Sequence, residues 1–220
     1  MQRSRFLTLN PDVVPTSIRP ARKRAWWLCA SVACWLAAAI GGLSVIWSYD
    51  NTPGVAAKSP GQWPDGTRLA LASDRPTLVF LAHPQCTCTR ASLGELAEAL
   101  ARAATRPKTY VVFLKPTAFA DGWEKTGLWE AASALPDATV VRDDDGREAI
   151  RFGAATSGQT MLYDAGGALL FTGGITGARA HAGDNAGRRA LVALLNELKP
   201  ESKATTTVFG CSLFGRRTES

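Results

Sequence analysis

An apolar, β-prone segment hands over to an amphipathic helix through two cysteines. This junction limits the folds open to the chain more than any other stretch. The segment is Thr77-Leu78-Val79-Phe80-Leu81-Ala82. His83-Pro84-Gln85-Cys86-Thr87-Cys88-Thr89-Arg90 follows, and then Leu93, Leu96, Ala97 and Leu100 recur at the i, i+3, i+4, i+7 spacing of one helix face. Unpaired amide N–H groups and the positive end of a helix dipole favour a thiolate over a thiol at such a place. Free cysteines are often small buried hydrophobes, but two of them one residue apart, beside Thr, Thr and Arg, do not read as core. A redox or metal role is therefore expected, and it requires the sulfurs of Cys86 and Cys88 to be reachable from solvent.

Residues 25–47 contain neither a charge nor a proline. At ~1.5 Å per residue such a stretch forms a helix of about 34 Å, enough to cross a hydrocarbon core of about 30 Å with some tilt. Trp26, Trp27 and Trp47, with Tyr49 just beyond, lie at its ends, where amphipathic rings prefer the headgroup layer. Arg3, Arg5, Arg19, Arg22, Lys23 and Arg24 precede it against the single acid Asp12, so the N-terminus should stay in the cytoplasm and the long remainder face outward. A cleaved signal peptide is the competing reading, but its apolar region normally runs about 7–15 residues. The chain carries a net charge of +6, of which residues 1–24 supply +5. The basic character thus reflects membrane topology, and no nucleic-acid partner is expected.

The expected organisation is a cytoplasmic basic tail (1–24), a transmembrane helix (25–47), a Pro- and Gly-rich flexible linker (48–66), one domain (67–199) and a C-terminal tail (200–220). Within the domain the pattern predicts strands at 77–81, 109–114 and 139–142, and helices over about 89–104, over 123–134 with a break at Gly127, and for a turn or two at 147–152. Thr160–Tyr163 and Leu169–Thr172 flank Asp164-Ala165-Gly166-Gly167 as a hairpin. A last helix begins near Asp184, with Leu191, Leu194, Leu195 and Leu198 on one face and Pro200 as its stop. Asp143-Asp144-Asp145-Gly146 reads as a solvated turn, since the remaining ligands of a calcium loop are absent. Phosphate-loop, dinucleotide-binding, nucleophile-elbow and H-E-x-x-H motifs are absent too.

This order of elements describes an α/β sandwich, a central mixed β-sheet flanked by helices and preceded by one transmembrane helix. With Phe80-Leu81-Ala82 leading into the cysteines, and Gly158-Gln159-Thr160-Met161-Leu162-Tyr163-Asp164-Ala165-Gly166-Gly167 later, residues 67–198 resemble the thioredoxin-like superfamily. They resemble most its membrane-tethered, extracytoplasmic thiol–disulfide proteins of bacteria. That resemblance implies a single-pass protein of the bacterial inner membrane, with its C-terminal domain in the periplasm and a thiol- or disulfide-containing protein as partner. The bilayer would be contacted through residues 25–47. Two departures stand out. The spacing is C-x-C where the family has C-x-x-C, and Gln159 stands where the family places a cis-proline that helps bind extended substrates and keeps metals off the thiols.

Cys86, further from the helix interior, is the expected nucleophile, and Cys88 would resolve the mixed disulfide. A Cys86–Cys88 disulfide closes a very small ring, which makes the pair a plausible oxidant or isomerase centre and a poor staple. Arg90 would support the thiolate. How strongly the helix acts on the pair depends on register. A start at Thr87 or Thr89 puts Cys88 in or beside the first turn, whereas a start at the capping-box pattern Ser92-Leu93-Gly94-Glu95 leaves both cysteines outside it. Cys211 sits in the apolar island Val208-Phe209-Gly210-Cys211-Ser212-Leu213-Phe214, which is expected to dock on the domain, as a bridging partner, an auxiliary thiol or packing alone. His83 precedes the motif, and His181 lies in the glycine-rich connection before the last helix. An alternative reading follows, in which Cys86, Cys88 and His181 hold copper or zinc. Sco-type copper-delivery proteins resemble this arrangement, with a C-x-x-x-C spacing instead. The oxidoreductase reading needs no cofactor.

Overall fold

The computed structural model describes residues 21–55, 58–196 and 204–214. The first basic residues, Arg3 to Arg19, and the helix end at Leu198 and Pro200 lie outside them. The chain divides into two units, at 1–46 and 47–220.

Helix α1, Ala21–Asn51, begins in the first unit. Its stretch Ala25–Asn51 has a mean hydropathy of 2.0 and is long and apolar enough to cross a membrane. Large apolar side chains such as Trp27, Trp35, Ile40 and Leu43 are exposed along it, as on a helix that meets lipid on every side.

The second unit is built on a six-stranded mixed sheet in the order β3-β2-β1-β4-β5-β6. The strands are β1 Thr77–Ala82, β2 Lys108–Lys115, β3 Ala138–Asp144, β4 Thr160–Tyr163, β5 Leu169–Gly173 and β6 Ala204–Thr205. β1, β2 and β3 run parallel, β4 is antiparallel to β1, β5 to β4, and β6 parallel to β5. Alternation along β1 sends Leu78, Phe80 and Ala82 to one face and Val79 and Leu81 to the other. The first face packs under α2 (Thr87–Arg102), α3 (Gly127–Ser133) and α5 (Ala186–Asn196), through Leu93, Leu96, Leu128, Leu191 and Leu195. The second is covered by Ala149 of α4 (Arg147–Arg151), Phe152, Leu69 and Leu213. The fold is thioredoxin-like.

Two expectations are corrected. The stretch 48–66 does not behave as a flexible tether where it is described. Trp63 N–H donates to Gly167 O at 2.7 Å, Leu169 N–H donates to Gly61 O at 3.0 Å, and the Trp63 ring packs edge-on against Phe152 and Tyr163. Partly burying the Trp63 indole offsets some of the entropy of ordering a Pro- and Gly-rich strap. The acidic turn is not wholly solvated either. Asp143 is buried and accepts from the N–H groups of Glu148 and Ala149, capping α4; burial pushes its carboxyl above the usual range.

The tail supplies an element the periodicity did not predict. β6 extends the sheet edge, and the chain then follows β5 and the loop before β4. Thr206 N–H donates to Thr172 O at 3.1 Å, Ser157 N–H to Cys211 O at 2.8 Å, and Leu213 N–H to Ala155 O at 2.9 Å.

Candidate functional site

α2 starts at Thr87 with Cys86 as its N-cap, in an extended conformation at φ −100°, ψ 123°. Cys88 is thereby the second helical residue. Ser92 and Glu95 are buried inside the helix and do not cap it. Glu95 instead accepts from Arg188 Nη1 at 2.6 Å, Gly183 N–H at 2.6 Å and Asn185 Nδ2 at 3.1 Å, fastening the glycine-rich connection and α5 to α2.

A closed ring of hydrogen bonds holds the cysteine turn. His83 N–H donates to Ser157 Oγ at 2.9 Å, the Ser157 hydroxyl meets Thr89 Oγ1 at 2.7 Å, and Thr89 Oγ1 donates to His83 O at 3.0 Å. Thr126, the N-cap of α3, donates to Pro84 O at 2.9 Å from the other side of the turn. The loop before β4 is thus joined through Ser157 both to the cysteine turn and to Cys211.

The result is a three-thiol centre. The sulfurs of Cys86, Cys88 and Cys211 all lie within 4.8 Å of one another, and all three are free. Cys86 and Cys88 are only 2% and 4% exposed, and Cys211 is half-buried. The expectation of open access is corrected: with the docked tail in place, both motif sulfurs are closed off from bulk water. Cys86 still borders a shallow hollow of about 180 Å³, lined also by Pro84, Gln85, Thr87, Arg90 and Leu128.

Charge is unequally shared in this trio. S–H contacts from Cys211 and then Cys88, with the N–H groups of Thr89 and Cys211, outweigh burial and hold the Cys86 thiol far below its ordinary range. For Cys88, a contact from Cys211 favours the thiolate. Its own S–H contact to Cys86, its burial and the Cys86 charge outweigh that, and its value is raised. Cys211 is raised strongly because its S–H serves Cys86 and Cys88 and it is itself desolvated.

The remaining candidate residues are dispersed. Half-buried His83 accepts from Gln85 N–H at 3.2 Å through Nδ1 and meets the Trp123 ring edge-on. Burial lowers its pKa, and the nearby Cys86 charge opposes that shift. Arg90 is exposed on the rim of the hollow. Gln159 is buried and uses its Nε2 on Ser59 Oγ at 3.0 Å. Exposed His181 turns Nδ1 to Arg179 O at 2.8 Å and does not join the sulfur cluster. The neighbouring Ala180 N–H reaches Cys88. Sequence reasoning missed Ser157 and Thr89. Only the hydroxyl-rich Cys86-Thr87-Cys88-Thr89 run hinted at Thr89, and nothing marked Ser157.

Fold and site together define a thioredoxin-like domain with a buried three-thiol centre, carried behind a helix able to span a membrane. It shares its arrangement with a crystal structure of an uncharacterized conserved protein from Geobacillus kaustophilus, at 16% identity and a TM-score of 0.53, over 76% of this chain and 94% of that one. A hypothetical protein from Sinorhizobium meliloti matches at 15% identity and a TM-score of 0.47, over 71% and 96%. A secreted Mycobacterium tuberculosis disulfide oxidoreductase homologous to E. coli DsbE matches at 14% identity and a TM-score of 0.39, over 57% and 82%. The first likeness supports the fold. No protein-family model and no curated protein matches the chain.

Proposed function

We propose that the protein is a membrane-anchored thiol–disulfide oxidoreductase. The carrying observation is geometric: three free cysteine sulfurs lie within 4.8 Å of one another, two of them at the N-terminus of α2, where S–H and N–H contacts hold the Cys86 thiol below its ordinary range. The thiolate attacks one sulfur of a partner's disulfide. The partner S–S bond breaks, a Cys86–partner mixed disulfide forms, and the displaced thiolate takes a proton. Cys88, losing its proton, then attacks Cys86 Sγ and expels the second partner thiolate, so the partner gains two electrons and the pair loses them. Cys211, within 4.8 Å of both, acts as an auxiliary thiol that exchanges with the small Cys86–Cys88 ring. The hollow beside Cys86 is the approach for the partner sulfur.

In this reading Ala25–Asn51 anchors the chain in the bacterial inner membrane, and the basic N-terminal flank directs the domain to the periplasm. A disulfide-permissive compartment suits the chemistry, and a cysteine-containing protein is the partner. Turnover of a disulfide-bonded peptide by the full chain in detergent, with a small-molecule thiol re-reducing the Cys86–Cys88 disulfide, tests the proposal. Cys86→Ser should abolish it, and Cys88→Ser/Cys211→Ser should accumulate a mixed disulfide visible by mass. Turnover that persists in Cys86→Ser would remove the assignment.

A further inference from the structure

We infer that the reduced centre is also a closed, three-coordinate site for Cu(I), with Cys86, Cys88 and Cys211 as its complete ligand set. Three thiolates around an ion at metal–sulfur bonds of about 2.3 Å stand about 4.0 Å apart when planar and about 3.8 Å apart on a tetrahedron. The sulfurs here are already within 4.8 Å of one another, so a closure of about 0.8 Å or less brings them to the planar spacing and about 1.0 Å or less to the tetrahedral one.

The donor set selects the ion. Thiolates alone favour a soft cation, and Cu(I) accepts three of them. Structural zinc takes four ligands, and among the described residues no fourth cysteine, histidine or carboxylate joins this group. His181, bonded to Arg179 O, is outside it.

Each ligand is positioned before any ion arrives. Cys86 and Cys88 are held by the first turn of α2, and Cys211 by the Ser157 and Ala155 backbone pairing of the tail. The N–H groups of Thr89, Cys211 and Ala180 face the sulfurs and offset negative charge on them. Arg179 braces the tail through Gly210 O at 2.6 Å. On binding, the cation displaces whatever protons the three thiols carry, which leave to solvent, and no electron is transferred. A disulfide between any two of the three removes the site.

The test uses the full chain in detergent, reduced and anaerobic, with Cys29→Ser and Cys34→Ser to silence the thiols of the apolar helix. Cu(I) titrated against a chromophoric chelator should bind one-to-one. X-ray absorption should show three sulfurs at about 2.3 Å and no nitrogen or oxygen ligand. Cys211→Ser should weaken binding tenfold or more and leave two sulfurs, while His181→Ala changes neither. Should Cys211→Ser disturb the fold, Gly210→Ala, which keeps all three thiols but displaces the tail, should weaken binding similarly. No stoichiometric binding, an unchanged sulfur count in Cys211→Ser, loss of binding in His181→Ala, or preference for Zn(II) with a fourth ligand would overturn the assignment.

Discussion

The Ser157 N–H donates to the Cys211 carbonyl at 2.8 Å while the Ser157 hydroxyl accepts from His83 N–H at 2.9 Å. One buried serine therefore sets the distance between a thiol in the tail and two thiols at the start of α2. Removing its hydroxyl leaves the His83 amide without a partner, a cost of about 1–3 kcal/mol when the group is buried. Ser157→Ala should lower thermal stability by that order and raise the alkylation rates of Cys86 and Cys88, followed by mass spectrometry.

Gly210 lies so close to the loop that an added methyl would overlap the Ser157 carbonyl oxygen. Backbone cannot yield as a flexible side chain can, so Gly210→Ala should lift the tail. Cys86 and Cys88 should then be alkylated at least several-fold faster, with little change in far-ultraviolet circular dichroism. An unchanged rate would show that the tail does not control access.

The charge on Cys86 depends chiefly on Cys211. In Cys211→Ala the Cys86 value should rise toward the ordinary thiol range near pKa ~8.5. Ultraviolet thiolate absorbance of the reduced protein should accordingly show one thiolate persisting well below pH ~7 in the parent, and its loss in the variant.

Stability should follow the same groups. The folded Cys86 value lies below the unfolded one, so its contribution is complete above the unfolded value, about pH 8.5, and is lost as pH falls toward the folded value. His83, lowered by burial, adds a loss in the same direction below about pH 6.5. Cys88 and Cys211, both raised, oppose further ionisation above the thiol range and destabilise the fold there. The melting temperature of the reduced chain should therefore peak near the ordinary thiol pKa. Cys86→Ser should flatten the slope between about pH 6.5 and 8.5, while the His83 loss below that range persists or deepens, since the Cys86 charge that opposed its shift is gone.

Glu95 and Arg188 form a buried pair at 2.6 Å, with side chains 4% and 10% exposed. Removing one partner of such a pair costs about 3–5 kcal/mol because the other charge is left buried. Glu95→Ala should show a loss of that order in denaturant unfolding. It should also loosen the connection bearing Ala180 and His181, as a local gain in hydrogen exchange.

Strands β1 to β5 and the junction carrying Cys86 and Cys88 were legible because strand and helix patterns are local properties, whereas the two-residue β6 was not. A continuous apolar, β-prone run marked the first strand, heptad-like spacing marked α2, and an uncharged run marked a helix able to span a membrane. The start of α2 was not legible, because Thr87, Thr89 and Ser92 offer competing caps and only packing chooses among them. The Ser92–Glu95 pattern was consumed by the core: Glu95 was needed to meet Arg188.

By itself, then, the sequence determined a helix long and apolar enough to span a membrane, an α/β order and two thiols at a helix N-terminus, all from patterns of residues near in the chain. Only the tertiary structure decided that Cys211, and not His181, completes the centre, and that the segment before β1 is packed. Those outcomes depend on which backbone groups of the tail and strap find partners at the sheet edge. That pairing joins residues far apart in the chain and leaves no periodic trace in either segment.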